Sequence, residues 1–185
     1  MRWIVLVLAF SLVAAAEVRV RVVTAAGDIV MSLDDQRAPR TVANFLQYVD
    51  SGHYNNGRFH RTVRAGNQPD NAVKIEVIQA GPAAGMKSEA PVALERTSVS
   101  GIRHRDGTVS MARGGPDTAT QDFFICIGDQ PELDFAGKRN GDGQGFAAFG
   151  QVVSGMDVVK KIQSGAAEKQ ALLPPIAILR VERMR

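Results

Sequence analysis

The chain has 185 residues, 45% of them apolar, and its 22 lysines and arginines exceed its 19 acids by only three. That length fits one hydrophobic core rather than two. The positive charges are spread through RVRV, RFHRTVR, RHRDG and VERMR, unlike the massed basic face of a nucleic-acid binder, and a single cysteine excludes an internal disulfide.

The chain opens MRWIVLVLAFSLVAAAE, with Arg2 ahead of an apolar run and the small residues Ala14-Ala15-Ala16 before Glu17. This is the pattern of a secretory signal peptide over residues 1–16. The run is shorter than the roughly 20 residues of a membrane span, so stable membrane insertion is not expected. An uncleaved N-terminal anchor is the alternative. Residues 17–185 then form one soluble domain, expected to be monomeric and exported to a periplasm or, alternatively, secreted.

In EVRVRVVT, Val18, Val20 and Val22 alternate with Glu17, Arg19 and Arg21, the period of a half-buried strand. Ala25–Asp28 reads as a turn into a second strand, DIVMSL. Pro39 precedes TVANFLQYVDSG, whose Val42, Phe45, Leu46 and Val49 fall at i, i+3, i+4 and i+7 before Gly52, which predicts an amphipathic helix. A second helix is predicted after Ser154, read as an N-cap with Asp157 three residues on. Further strands are expected in RFHRTV, AVKIEVIQ, GTVSMA, DFFICIG, GFAAFGQVV and PIAILRVER, with residues 164–175 as a loop. Many short strands with glycine breaks point to an antiparallel barrel or sandwich covered by helices. A closed barrel is the preferred reading.

In RFHRTVR, strict alternation would put Arg58, His60, Thr62 and Arg64 on one face and Phe59, Arg61 and Val63 on the other. Arg61 is therefore a permanent charge among apolar neighbours, and it must reach solvent, pair with an acid, or be held for a ligand.

The fragments FHR (59–61), GTVSMA (107–112), GP (115–116), FFICIGD (123–129), LD (133–134) and FAAFGQVVSGMDVVKKI (146–162) resemble, in this order, the cyclophilin family of peptidyl-prolyl cis–trans isomerases. The resemblance runs from about Val18 to the C-terminus. It implies a mainly β fold, a closed eight-stranded antiparallel β-barrel capped by two α-helices. It also implies isomerase (rotamase) activity on X–Pro bonds of client polypeptides, assisting protein folding without a cofactor or metal. By the same resemblance Arg61 is the catalytic donor, and Phe124, Leu133 and Phe146 wall a proline pocket with Met111 and Ala112 beneath or beside it. Gln79 and main-chain groups near Arg113 hold the peptide.

The chain departs from the family pattern in several places. Residues 64–74 form a polar insertion, read as a lid, a partner surface or, preferably, an inert surface loop. Glu76-Val77 replaces a Phe-Met pair. Asp122 stands where a glutamine would hold substrate, and a carboxylate there could instead ion-pair with Arg61 and orient it. Glu132 replaces the tryptophan of cyclosporin-sensitive members, so weak cyclosporin binding is expected. The alternative function is a proline-peptide binding module or chaperone-like protein with little turnover.

Other readings are plainer. His53 and His60 lack a clear third metal ligand. His104, among arginines, belongs to a solvated turn. Asn140–Gln144 resembles the start of a calcium loop, but Gln151 stands where a bidentate glutamate is needed, so a glycine-rich loop is preferred. Cys126 is a packed strand residue.

Overall fold

The computed structural model describes residues 18–184; the signal peptide expected over 1–16 lies outside them. Strands β1 (Val18–Thr24) and β2 (Gly27–Leu33) form the expected opening hairpin. The Thr24 hydroxyl braces its turn, donating to the Gly27 carbonyl at 2.6 Å and accepting from the Ala26 N–H at 3.0 Å. Val20, Val22, Ile29 and Met31 project inward and are completely buried.

Helix α1 (Pro39–Asp50) begins on the proline, whose missing N–H costs nothing in a first turn. Its N-cap position is Ala38, which has no side chain able to cap. The carboxylate of Glu95 does this from elsewhere in the chain, accepting from Thr41 N–H at 2.8 Å, Arg40 N–H at 3.2 Å and the Thr41 hydroxyl at 2.6 Å. A negative charge there also complements the helix dipole.

Among the described residues the remaining strands and α-helices are β3 (Arg58–Val63), β4 (Val77–Gly81), α2 (Thr97–Ser100), β5 (Thr108–Met111), β6 (Phe123–Cys126), β7 (Ala148–Ser154), α3 (Met156–Gln163), β8 (Ala167–Glu168) and β9 (Ala171–Arg183). The strands pair in the order β1-β2-β7-β5-β6-β4-β3-β9, and β9 pairs again with β1, from Val20↔Arg183 onward. The eight-stranded antiparallel barrel is thus closed, with β8 an additional short strand on β9. Apolar faces of α1 and α3 join its interior cluster through Phe45, Tyr48, Val159 and Ile162.

Several boundaries differ from expectation. Helix α3 is capped by Gly155, not Ser154, which ends β7. Gly155 has φ +92°, and a Cβ there would lie 2.3 Å from the Asp28 carbonyl oxygen, so two constraints require glycine. Residues 164–175, expected as a loop, instead contain β8 and the start of β9. Strand β4 starts at Val77 rather than Ala72, because the Gln68 side chain takes the place of a strand beside Ile75. Its amide donates to Ile75 O at 2.6 Å and accepts from Ile75 N–H at 3.3 Å.

One irregularity matters for function. Phe59 pairs with Ala80 but Arg61 pairs with Gln79, so β3 carries one residue more than β4 at His60. This bulge breaks the alternation. Phe59 is buried in the barrel interior, and Thr62 is buried with its hydroxyl on Gln163 O of α3. His60, Arg61 and Val63 lie on the outer face. Arg61 therefore does not share a face with Phe59.

At the centre, the Phe45 ring lies 5.3, 5.4 and 5.1 Å from the rings of Tyr54, Phe123 and Phe149. Phe45→Ala should lower the unfolding free energy by about 3–5 kcal/mol, measured by urea denaturation. A loss below about 1 kcal/mol would show that α1 is not locked onto the barrel.

Candidate active site

The outer faces of β3, β4 and β6 form one wall of a groove of about 380 Å3. Alternation along β6 sends Phe123 and Ile125 inward and Phe124 and Cys126 outward; along β4 it sends Ile78 inward and Val77 and Gln79 outward. Val63, Ile75, Val77, Phe124, Cys126 and Leu133 consequently make a second apolar cluster outside the barrel, against which Ala112 and Phe146 pack. Burial raises the Cys126 thiol pKa far above its usual value, so it stays protonated and serves as packing.

Arg61 stands over this apolar floor. Its Nε and Nη2 donate to Gln170 Oε1 at 2.9 and 2.6 Å, and its Nη1 donates to Gln79 Oε1 at 2.9 Å. Gln79 is oriented in turn, its Nε2 donating to Asp122 Oδ2 at 3.0 Å. An ionised carboxylate only accepts, so Asp122 fixes which end of the amide faces Arg61. Gln170 donates to Asn67 O at 3.3 Å. Burial, and secondarily the charge of Arg139, lower the Arg61 pKa, yet a guanidinium stays charged in any protein environment. Asp122 does not ion-pair with Arg61 as the sequence suggested: it acts through Gln79, and the His60 Nε2 lies 3.5 Å from its carboxylate.

The pocket floor has a polar support that sequence reading misplaced. His104 is buried, not in a solvated turn. Its Nδ1 lies 2.8 Å from Asp134 Oδ1 and its Nε2 3.0 Å from Ser110 Oγ, while its ring stacks on Phe124 at 6.0 Å and 14°. Since the carboxylate accepts, Nδ1 carries a proton and donates to it. The flanking Arg103 is largely exposed, which is why local charge misled. Phe146 meets Phe124 edge-on at 5.4 Å.

Arg113 fixes the opposite rim. Its guanidinium carbon lies 4.9 Å from the Phe146 centroid, its Nε donates to Gly145 O at 2.7 Å, and Nη1 and Nη2 reach both oxygens of Asp142 at 2.7 and 2.9 Å. The Arg113 hydrogen bond above all, with one from the Gln144 N–H, lowers the Asp142 pKa to about 2. The 140–144 loop is thus organised by an arginine.

Arg61, Gln79, Ala112, Arg113, Asp122, Phe124, Leu133 and Phe146 all line the groove; Met111 does not. It faces the barrel interior, completely buried, because it is the last inward residue of β5. Glu76 also points away, its carboxylate accepting from Gln163 Nε2 at 2.9 Å. Ile75, Val77, Arg139 and Gln170 were not singled out as site residues. Ile75 and Val77 follow from period two once β4 is placed, whereas Gln170 lies too far along the chain for any local signal.

The family model described as "Cyclophilin type peptidyl-prolyl cis-trans isomerase/CLD" matches residues 19–183. The chain is 38% identical over 156 residues to peptidyl-prolyl cis-trans isomerase A of Dickeya dadantii, covering 84% of this chain and 76% of that protein. It is 39% identical over 150 residues to peptidyl-prolyl cis-trans isomerase B of Escherichia coli, covering 79% and 84%. A crystal structure of a cyclophilin-type peptidyl-prolyl cis-trans isomerase from Cryptosporidium parvum superposes with a TM-score of 0.74 at 22% identity, covering 92% of this chain and 99% of that one.

Burial raises the Asp134 pKa, but the bonds from His104 and Arg103 outweigh it and the net shift is downward. A carboxyl whose folded pKa is depressed stabilises the fold above its unfolded pKa, about 3.9, and loses that contribution as pH falls through the folded value. Asp134→Asn should therefore be less stable than the parent at pH 7, with the gap narrowing below about pH 4. Urea titrations at pH 7 and pH 3 measure it. A gap that widens in acid would contradict the assignment.

Proposed function

Because the chain belongs to the cyclophilin-type peptidyl-prolyl cis–trans isomerase family, we propose that its Arg61 groove is where X–Pro bonds of client polypeptides are rotated. An X–Pro bond differs by only about 0.5–1 kcal/mol between isomers, yet exchanges over tens to hundreds of seconds because rotation breaks amide resonance. Selective stabilisation of the twisted amide is sufficient for catalysis. In the twisted state the prolyl nitrogen recovers a lone pair and accepts a hydrogen bond that the planar state does not.

The observation that carries this reading is the way Arg61 is held. Three of its N–H groups are bound to Gln170 and Gln79, and no described residue accepts the remaining N–H on each terminal nitrogen. Those donors are charged, fixed in direction, and placed beside an apolar pocket of Phe124, Leu133, Val77 and Phe146 suited to a proline ring. A preorganised donor aimed at charge that develops only in the transition state is an efficient source of catalysis. The Arg113 main chain, whose N–H and C=O pair with no described residue, offers an extended peptide its backbone bonds. A structure of the Cryptosporidium parvum protein was determined in the presence of the dipeptide Ala-Pro, which supports proline-containing peptides as the ligand class here. Of the two replacements behind the reading of a binding module without turnover, Glu76 lies outside the groove on Gln163, whereas Asp122 lines it and is engaged by Gln79.

We also propose that the domain works as a monomer after export, on unfolded or flexible clients in a periplasm. The support for export is the residue pattern of positions 1–17. Expression of the full chain should yield a periplasmic protein whose N-terminus is near Glu17; an intact Met1 in the soluble cytoplasm would overturn it.

Arg61→Ala should lower kcat/KM for a proline peptide by about 10²-fold with unchanged circular dichroism. Arg61→Lys should remain well below the parent, since an ammonium lacks the planar fork. The assay is cis-to-trans conversion followed over time. A parent rate no higher than the uncatalysed background would refute the enzyme reading.

A further inference from the structure

Arg139 lines the same groove as Arg61 and is held there by the insertion. Its Nη1 donates to Gln68 Oε1 at 3.0 Å and to Val73 O at 2.7 Å. Gln68 is itself almost fully buried and bonded to the main chain of Ile75. Residues 64–74 are therefore not an inert surface loop: they position a second guanidinium at the site.

The charges in the groove are not balanced. Arg113 is neutralised by both oxygens of Asp142. Arg61 and Arg139 have only neutral oxygens as acceptors, and no carboxylate pairs with either among the described residues. Asp122, the one acid in the lining, is engaged by Gln79 and lies close to His60. Two half-buried guanidiniums facing one cavity repel each other, and the Arg139 charge is felt at Arg61. No described carboxylate pairs with either guanidinium, whereas a bound one would relieve that repulsion.

We propose that Arg139 is a specificity residue of the isomerase site, selecting client segments that carry an aspartate or glutamate within about two residues of the target proline. The proposal rests on the isomerase reading. A charge-assisted bond from a guanidinium to a carboxylate is roughly twice as strong as a neutral one, and the partial burial of Arg139 reduces the screening that makes exposed pairs weak. Neither Gln68 nor Val73 gains from the carboxylate, and Arg61 is common to the parent and the Arg139 variants, so a change of ratio on substituting Arg139 belongs to Arg139.

The test uses proline peptides with Glu, Gln or Lys placed in turn at each position from two before to two after the proline. At one position the mature parent should show kcat/KM about fivefold higher for Glu than for Gln, with Lys lowest. That ratio should fall toward one in molar salt, where the Debye length shrinks to about 3 Å; this is read on the parent and needs no variant. Arg139→Gln should bring the Glu/Gln ratio close to one, and Arg139→Glu should reverse the order of Glu and Lys. Ratios taken within one variant are insensitive to a general loss of activity. A parent ratio near one at every position overturns the proposal, as does a preference that survives intact in Arg139→Gln. Turnover of the Gln peptides without any preference refutes this inference alone. If no peptide is turned over, it is the isomerase reading that fails, and the Glu/Gln affinity ratio from calorimetric titration decides this one.

Discussion

A half-buried guanidinium must be held by something, and the choice of partner decides whether its charge remains available. A carboxylate would hold Arg61 firmly but quench its field; water would leave the field but not the direction. Two amide oxygens, from Gln79 and Gln170, fix the plane of the group and leave its charge intact. The surrounding structure serves that requirement. The bulge at His60 turns Arg61 to the outer wall of the barrel, Asp122 sets the orientation of one amide, and the Asn67 carbonyl accepts from the other.

The apolar side of the site is built with comparable indirection. Phe124 is pressed from behind by the His104 ring and met at its edge by Phe146, and each of those is fixed by polar groups rather than by apolar packing alone. His104 is bonded to Asp134 and Ser110, and Phe146 lies under an arginine locked to Asp142. A satisfied buried network such as that of His104 specifies one arrangement more sharply than apolar contacts do. A pocket wall that does not move allows the donor and the proline ring to be presented in fixed relation.

How far the sequence reveals this depends on the range of each interaction. Alternation and helical spacing are local, and they place the opening hairpin, α1 and the strands that carry Arg61, Gln79 and Phe124. The bulge escapes, since period two in RFHRTV holds on paper and fails only because β4 offers one residue fewer. The resemblance puts Met111 at the pocket together with Ala112, but one residue along the chain is enough to change faces. His104 was misjudged because its flanking arginines point outward while it points in. Gln170 and Glu95 act across more than fifty residues, Gln170 on Arg61 and Glu95 on Thr41. No window of sequence shows such pairs.

A protein that receives extended polypeptide in a groove has a particular hazard: a chain that can lie along its surface can also add to its sheet. Closing the ring from β9 to β1 removes the two edges that an open sheet would offer. What remains is β8, two residues long, and the stretch ahead of β4 where the ladder has not yet begun. At Ile75 the main-chain N–H and C=O are already taken by the amide of Gln68. A single side chain thus caps the frayed end of a strand, and a client's backbone is denied a template beside the groove in which its proline is meant to turn.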